Sequence, residues 1–584
     1  MTIPPTLKNF AGNERSKLLL LSFLTGVASG LAAVLLVRGI DLVRALLEKG
    51  FAGWHNFQYL VLPGAGMLIS LLLLKYVIKD DIGHGVTKVL LAVSRNDSKI
   101  RPHNMWSSML TSAVTIGFGG SVGAEAPIVY TGAAIGSNLG RRFGLSYRNV
   151  TILLGCGAAG AVSGIFKAPL AGVLFTLEIL LFNITLSSML PLLISTISAT
   201  VVSYIFRGQT PLFACALTPF SMGNIPFYIL MGVILGFGSL YFTGTTLMLE
   251  DKLSRMRNPY LKWIICSVGL GLLIFLFPQL YGEGYDVLSD LLNGREIDVE
   301  GRSLLSFLTG SAWGAALLFT LVFLFKVLAM TVTNAGGGNG GTFGPTLFCG
   351  AIAGFVVAKC FNELGAGVPE QNFVLVGMAA MMAGVMQAPM TAIFLIAEIS
   401  GGYELLIPLI LTSTVSYGTT RIFEKYSIYT KRIAQSGDLL THDADQAVLT
   451  LMSIEPLIRD KYPRVLITDP LRKVVAEITG STAAVLAVLD GEGRYQGLID
   501  VGNMRKYLLR TDLYDSYTAA NLMENSPAIL LRGEKMESVM RKFDATGAWR
   551  LPVVDGEKRY LGFISRSRLL MAYRDELKEI SNED

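Results

Sequence analysis

Two stretches of this chain, 220 residues apart, carry one pattern of small residues ending in proline. Gly157-Ala-Ala-Gly-Ala-Val-Ser-Gly164-Ile-Phe-Lys-Ala168-Pro169 recurs as Gly377-Met-Ala-Ala-Met-Met-Ala-Gly384-Val-Met-Gln-Ala388-Pro389, with Gly157, Ala159, Gly164, Ala168 and Pro169 all repeated. Glu178 recurs as Glu398 at the same offset, and Gly123-x-Glu125-x-Pro127 is matched by Gly341-x-Phe343-x-Pro345 at an offset of 218. Small-residue helix packing accounts for the Gly/Ala similarity but not for shared offsets in a shared order. The pattern therefore predicts two related halves. Interrupted segments at corresponding places in two halves point to a binding site where the halves meet.

The medium for those halves is a bilayer. Of 584 residues 52% are apolar, and the mean hydropathy is +0.51, too apolar for a soluble chain of this length. Apolar runs recur at Leu18–Val37, Leu60–Leu74, Met189–Ile205, Ile225–Tyr241, Trp263–Phe277, Ala315–Met330 and Leu405–Tyr417. Several fall short of the ~20 residues a full span needs, and Gly or Pro interrupts many. The 62 glycines suit closely packed, broken helices. No small-residue cleavage site follows the first run, so Leu18 onward is expected to be a retained helix rather than a signal peptide. Basic residues at the start (Lys8, Arg15, Lys17) and after the last run (Arg421, Lys425, Lys431, Arg432) predict that both termini are cytoplasmic. Five cysteines without CxxC spacing predict neither a metal centre nor a disulfide framework. The net charge of +5 comes without a basic patch interleaved with aromatics, so no nucleic-acid partner is expected.

Gly123-Ala124-Glu125-Ala126-Pro127 follows Gly117, Gly119 and Gly120 inside an apolar segment. A carboxylate at mid-bilayer costs at least ~2.5 kcal/mol on the mildest insertion scale, which marks Glu125 as functional. Pro127 fits the first turn of a helix, where its missing N–H is not needed. A helix starting inside the membrane presents its positive end there and attracts anions. Glu125 then reads as a tethered anion standing where a mobile one binds. The alternative is a buried acid paired with a base, but no Lys or Arg lies between Arg101 and Arg141.

Near residue 435 the composition turns charged. The predicted organisation is a cytoplasmic segment 1–17, a membrane domain 18–434 with halves at about 18–206 and 225–422, a linker 435–448, and two α/β units at 449–512 and 518–577. In the units, Gly497-Leu-Ile-Asp500 follows a strand-like run Ala483–Leu489, and Gly562-Phe-Ile-Ser565 follows Leu551–Val554.

In four elements, in order, the chain resembles the CLC family of chloride channels and chloride/proton antiporters, bacterial type. Gly83-His84-Gly85-Val86-Thr87 is similar to the family's Gly-Ser-Gly-Ile-Pro, and Gly123–Pro127 to Gly-Arg/Lys-Glu-Gly-Pro. Gly341-Thr342-Phe343-Gly344-Pro345 is similar to Gly-x-Phe-x-Pro, and Tyr429 follows the last membrane helix. The tail resembles the paired CBS domains of many members. The resemblance implies an all-α polytopic fold of two inverted repeats of broken helices, followed by a small α/β CBS pair. It implies chloride as substrate and a homodimer with one pore per subunit in the cell membrane. Carried over, the amides of Thr342 and Phe343 and the Tyr429 hydroxyl hold the central anion, with His84 and Gly85 on its other side. The amides of Ala124 and Ala126 hold the outer one, and Glu125 is the gate, closed when charged and swung away when protonated.

The chain departs from the family pattern at several points. His84 replaces the serine that contacts the anion, and Thr87 replaces a proline. Ala124 replaces a basic residue beside the gate, which predicts a weaker field at the outer entrance. Ala126 replaces a glycine. Ile179 stands where antiporters carry an internal proton glutamate, favouring a channel over an exchanger. Glu178 and its duplicate Glu398 are expected to be structural. In the tail, the Ser/Thr-x-x-Asp pair that holds an adenine nucleotide is intact in neither unit (Asp500 with Asn503, Ser565 with Arg568). The expectation is a dimer-stabilising module without a cofactor, a nucleotide site being the alternative. No His-Glu-x-x-His or Ser-x-x-Lys set suggests an enzyme. Chloride permeation gated by Glu125 leads, with chloride/proton exchange as the alternative.

Overall fold

The computed structural model describes residues 14–51, 57–80, 82–83, 85–95, 98–180, 186–213, 217–295, 305, 308, 310–435 and 452–581. His84, Cys215 and residues 436–451 of the expected linker and first tail unit lie outside them. The chain divides into two units, Met1–Leu439 and Leu440–Asp584.

The first unit is helical: α1 Glu14–Phe51, α2 Gln58–Leu72, α3 Gly85–Arg95, α4 Ser107–Gly117, α5 Glu125–Arg142, α6 Tyr147–Phe166, α7 Pro169–Glu178, α8 Leu186–Arg207, α9 Ile225–Ser254, α10 Pro259–Leu276, α11 Tyr285–Leu292, α12 Ala312–Ala335, α13 Phe343–Glu363, α14 Glu370–Met386, α15 Pro389–Ser400, α16 Leu406–Phe423 and α17 Lys431–Gln435. Among the described residues, eight helices are long and apolar enough to cross a bilayer. Two of them, Tyr147–Phe166 and Phe343–Glu363, are absent from the sequence-based set of apolar runs. Gly, Ala, Ser and Thr dilute their hydropathy, and both are mostly buried by neighbouring helices. Large apolar side chains such as Leu35, Ile205 and Val268 are more than half exposed, as a lipid-facing surface requires.

The duplication is visible in the packing. A Cβ on Gly132 of α5 would lie 2.1 Å from the Gly157 carbonyl oxygen of α6, and one on Gly157 would lie 1.9 Å from that of Gly132. In the second half, Gly350 of α13 and Gly377 of α14 meet the same way, at 2.5 and 2.4 Å. Without a hydrophobic drive inside lipid, such close backbone approach is what holds helices together. Both α6 and α14 end on a left-handed residue, Lys167 (φ 58) and Gln387 (φ 52). Each is followed by Ala-Pro, which starts the next short helix.

Those short helices cap each other. Glu178, ending α7, accepts from the Met390 and Thr391 amides of α15 at 2.9 and 2.6 Å and from the Thr391 hydroxyl at 2.7 Å. Glu398 on α15 accepts from the Leu170 and Ala171 amides of α7 at 3.1 and 2.9 Å. Each carboxylate meets the positive end of the partner helix, so the structural role expected of both follows from geometry.

The second unit holds two three-stranded sheets of one topology. In the first, β1 Arg464–Leu466 pairs parallel with β2 Val485–Leu489, which pairs antiparallel with β3 Tyr495–Asp500. In the second, β4 Leu530–Leu531, β5 Arg550–Val554 and β6 Tyr560–Ser565 repeat the order. A bulge falls at Val488/Leu489 and again at Val553/Val554. The strand-like runs read from sequence lie in these sheets. The leading strands β1 and β4, three and two residues long, were too short to show a period. The sheets meet where Tyr495 stacks on Tyr560 at 6.0 Å. Asp500 accepts from the Gly502 amide at 2.7 Å and so caps the helix after β3.

Candidate functional site

Three helix starts converge inside the first unit. Gly123 and Gly341, equivalent residues of the two halves, exchange both backbone hydrogen bonds at 3.0 and 2.7 Å. This clamp places the first residues of α5 and α13 side by side. A Cβ on Gly341 would lie 2.8 Å from that of Ala126, and one on Gly85, opening α3, would lie 2.3 Å from the Ala126 carbonyl oxygen. Glycine is therefore required at each crossing. The result is a concentration of helix N-terminal partial charge with no formal charge at its centre.

Glu125 is 1% exposed at the first position of α5. Its Oε2 accepts from the Gly344 amide of α13 at 3.2 Å, and its Oε1 accepts from the Tyr285 hydroxyl that opens α11. A Cβ on Gly123 would stand 2.1 Å from Oε2, so that glycine leaves the space the carboxylate fills. Thr342 donates its hydroxyl to the Tyr429 hydroxyl at 3.2 Å, and both are nearly buried. Thr87 Oγ1 donates to the Tyr429 carbonyl at 3.4 Å. The Phe343 ring packs on Phe166 and Phe175, at 5.2 and 6.3 Å between centroids. Gly85, Ala124, Glu125, Ala126, Thr342, Phe343 and Tyr429 are thus gathered at one place; His84, beside Gly85, is outside the described residues. Ile179 is 4% exposed just past Glu178, one turn beyond Phe175.

Three functional residues escaped the sequence reading. Glu283 accepts from the Ala124 amide at 3.0 Å through Oε1. Tyr285 donates its hydroxyl to the Glu125 carboxylate. Lys326 of α12, wholly buried, donates to Ser121 Oγ and to the Gly282 carbonyl, both at 2.9 Å, and lies 4.8 Å from the Phe348 ring centroid. Lys326 thus anchors the loop that carries Glu283 and Tyr285. This buried base comes from the other half of the chain, and the hydrogen bonds of Glu125 run not to it but to a neutral hydroxyl and an amide. The signal was present. Gly282-Glu283-Gly284 sets an acid between two glycines, and Lys326 interrupts an apolar run.

A vestibule of about 160 Å³ reaches Ala124 and Glu283, with Arg44 of α1 and Arg207 of α8 in its wall. Sequence spacing could not place these guanidinium groups near position 124, and both are engaged, Arg44 by Asp286 and Arg207 by the Ile165 carbonyl.

A family profile described as voltage gated chloride channel matches residues 65–421, and one described as CBS domain matches residues 519–575. A ClcB-like chloride channel protein of Ralstonia nicotianae is 28% identical over 65% of this chain and 86% of its own length. The H(+)/Cl(-) exchange transporter ClcA of Citrobacter koseri is 26% identical over 75% of this chain and 92% of its own. The crystal structure of a slow cyanobacterial Cl-/H+ antiporter superposes with a TM-score of 0.61 at 21% identity, covering 72% of this chain and 97% of that one. With more than half its length matched, the chain belongs to the voltage gated chloride channel (CLC) family, as an integral membrane protein of chloride transport followed by a CBS domain pair.

Proposed function

We propose that chloride crosses the membrane domain through the converging ends of α3, α5 and α13, with Glu125 as the gate. The observation that carries this is the Glu125 carboxylate seated on the Gly344 amide, in the place a mobile anion would take. Helix ends supply partial charge without a fixed full one, so an anion can both enter and leave. Charged, Glu125 fills the site; protonated, it loses its reason to stay on the amide and opens the path. Thr342, Phe343, Tyr429 and Gly85 form the central anion site, to which the resemblance adds His84. The subunits pair as a homodimer in the cell membrane with both termini cytoplasmic. The CBS pair acts as a cytoplasmic module without a nucleotide, Asp500 being engaged as a helix cap.

Ile179 supports passive permeation, since an isoleucine passes no proton. The exchange reading draws on the Citrobacter relative, which is named as an exchanger. The test uses purified protein in liposomes under an outward chloride gradient, without a proton gradient and with voltage clamped by a potassium ionophore. Chloride flux without proton movement supports the channel. Proton movement against its gradient establishes exchange. Glu125→Gln should raise chloride flux or free it from the pH control that Glu125 exerts; an unchanged pH dependence in that variant counts against Glu125 as the gate.

A further inference from the structure

Glu283 has no part in the gate just described, yet it occupies the same machinery. Its carboxylate accepts from the amide of Ala124, the residue before α5, while Glu125 accepts from the amide of Gly344 on the opposing helix. The two carboxylates therefore cover one helix end each. Gly282 (φ 62) and Gly284 (φ 87) turn the backbone so that Glu283 projects to α5 while Tyr285, two residues on, reaches Glu125. Lys326 fixes this loop from below through the Gly282 carbonyl. On its other side Glu283 lines the vestibule.

We propose that Glu283 is a second gate. Its charged carboxylate occupies the outer anion position on the Ala124 amide, and a proton arriving through the vestibule releases that amide to a monovalent anion such as chloride. The step is a competition between two anions for one donor, with one proton bound as the carboxylate leaves. The inference rests on the proposed reading of the helix-end amides as anion sites, but not on Glu125 being the gate.

The charged groups around Glu283 are compatible with this role. Glu125 is the nearest acid across the α5 start, and its charge opposes a second charge beside it. Lys326 is committed to Ser121 and Gly282. From α1, Arg44 pairs with Asp286 of α11 at 3.3 Å, and Asp41 lines the vestibule beside it. Arg207 of α8 donates to the Ile165 carbonyl at 2.8 Å. None of these cations is hydrogen-bonded to Glu283, so its partner is an amide that a halide can equally use.

The test is equilibrium chloride binding to the full-length protein in detergent, by titration calorimetry, in the Glu125→Gln background where the first carboxylate is already neutral. A hydrogen bond to a charged group contributes ~1.5–3 kcal/mol, so adding Glu283→Gln should tighten chloride binding about tenfold or more at alkaline pH. Burial raises the Glu283 carboxyl above the ordinary range, to about 8, so the difference should shrink as the pH falls below that value. A second measurement needs no change at Glu283. Chloride affinity of Glu125→Gln itself should rise on acidification, with proton uptake accompanying chloride. A pH-independent affinity there, or an affinity within about twofold after Glu283→Gln, overturns the second gate. Flux measured in parallel separates the readings. Failure of Glu125→Gln to alter pH control, with Glu283→Gln still tightening binding, removes the first gate and leaves the second.

Discussion

Tyr285→Phe tests the gate without touching the gate residue. The hydroxyl donates to Glu125 Oε1, and the ring packs edge-on against Phe213 at 5.6 Å. Phenylalanine keeps that packing and loses only the donor. A hydrogen bond to a charged group contributes ~1.5–3 kcal/mol, and one pH unit of proton affinity corresponds to about 1.4 kcal/mol. The donor favours the charged carboxylate, so removing it makes protonation easier. If protonation opens the pore, the pH dependence of chloride flux should move to higher pH by about one to two units. The Gly344 amide remains to hold the charged gate, so the profile should shift rather than vanish. The assay is chloride efflux from liposomes at clamped voltage from about pH 4 to pH 8, with Glu125→Gln as the reference that lacks the Glu125 carboxyl. An unmoved midpoint, or one displaced to lower pH, refutes the reasoning. So does an equal shift from Tyr285→Phe in the Glu125→Gln background, because the hydroxyl would then be acting through another group.

Ile179→Glu restores an acid at the internal proton position, and should make chloride flux drive protons in the liposome assay if the unaltered protein conducts chloride alone; a variant that conducts but stays uncoupled counts against that position as the missing step. Glu178→Ala strips the acceptor from two amides and a hydroxyl at the start of α15; unmet donors cost roughly 1–3 kcal/mol, so thermal unfolding in detergent should occur at lower temperature, and unchanged stability would show that the cap is dispensable. Gly562→Ala places a Cβ 2.3 Å from the Arg459 carbonyl, a backbone atom that cannot yield easily; overpacking of this kind costs about 1–3 kcal/mol, and limited proteolysis should cut the second CBS unit faster, with an unchanged cleavage rate opposing it.

The membrane fold was legible because a duplicated sequence must fold twice in the same way, and glycines at helix crossings leave a pattern that survives divergence. Gly132 with Gly157 and Gly350 with Gly377 carry that pattern, as do the paired acids Glu178 and Glu398. The gate motif was legible for a different reason: an acid among glycines in an apolar stretch has few other uses. Glu283 with Tyr285, and Lys326, were missed because their segments lie outside the duplicated motifs. Only the packing of α11 and α12 against α13, which itself meets α5, brings them to Glu125. A single buried lysine in a hydrophobic run shows that it needs a partner, not which one. Here the partners are a serine hydroxyl and a loop carbonyl.

These residues change how affinity is set at the site. The family's basic residue next to the gate is an alanine here, and the nearby cations are each engaged elsewhere: Lys326 by Ser121 and Gly282, Arg44 by Asp286, Arg207 by the Ile165 carbonyl. No cation faces the anion position as a bonded partner among the described residues. Attraction then comes from helix ends, each worth roughly half a charge, and repulsion from two acids whose charge is set by protons. On the proposed two-gate reading, such a site would bind chloride weakly when both acids are charged and more tightly as each is neutralised. Proton concentration would therefore control occupancy even if no proton crosses with the anion. Under that arrangement an acid-activated channel and a coupled exchanger share one outer gate, and they differ on the inner side, where Ile179 stands.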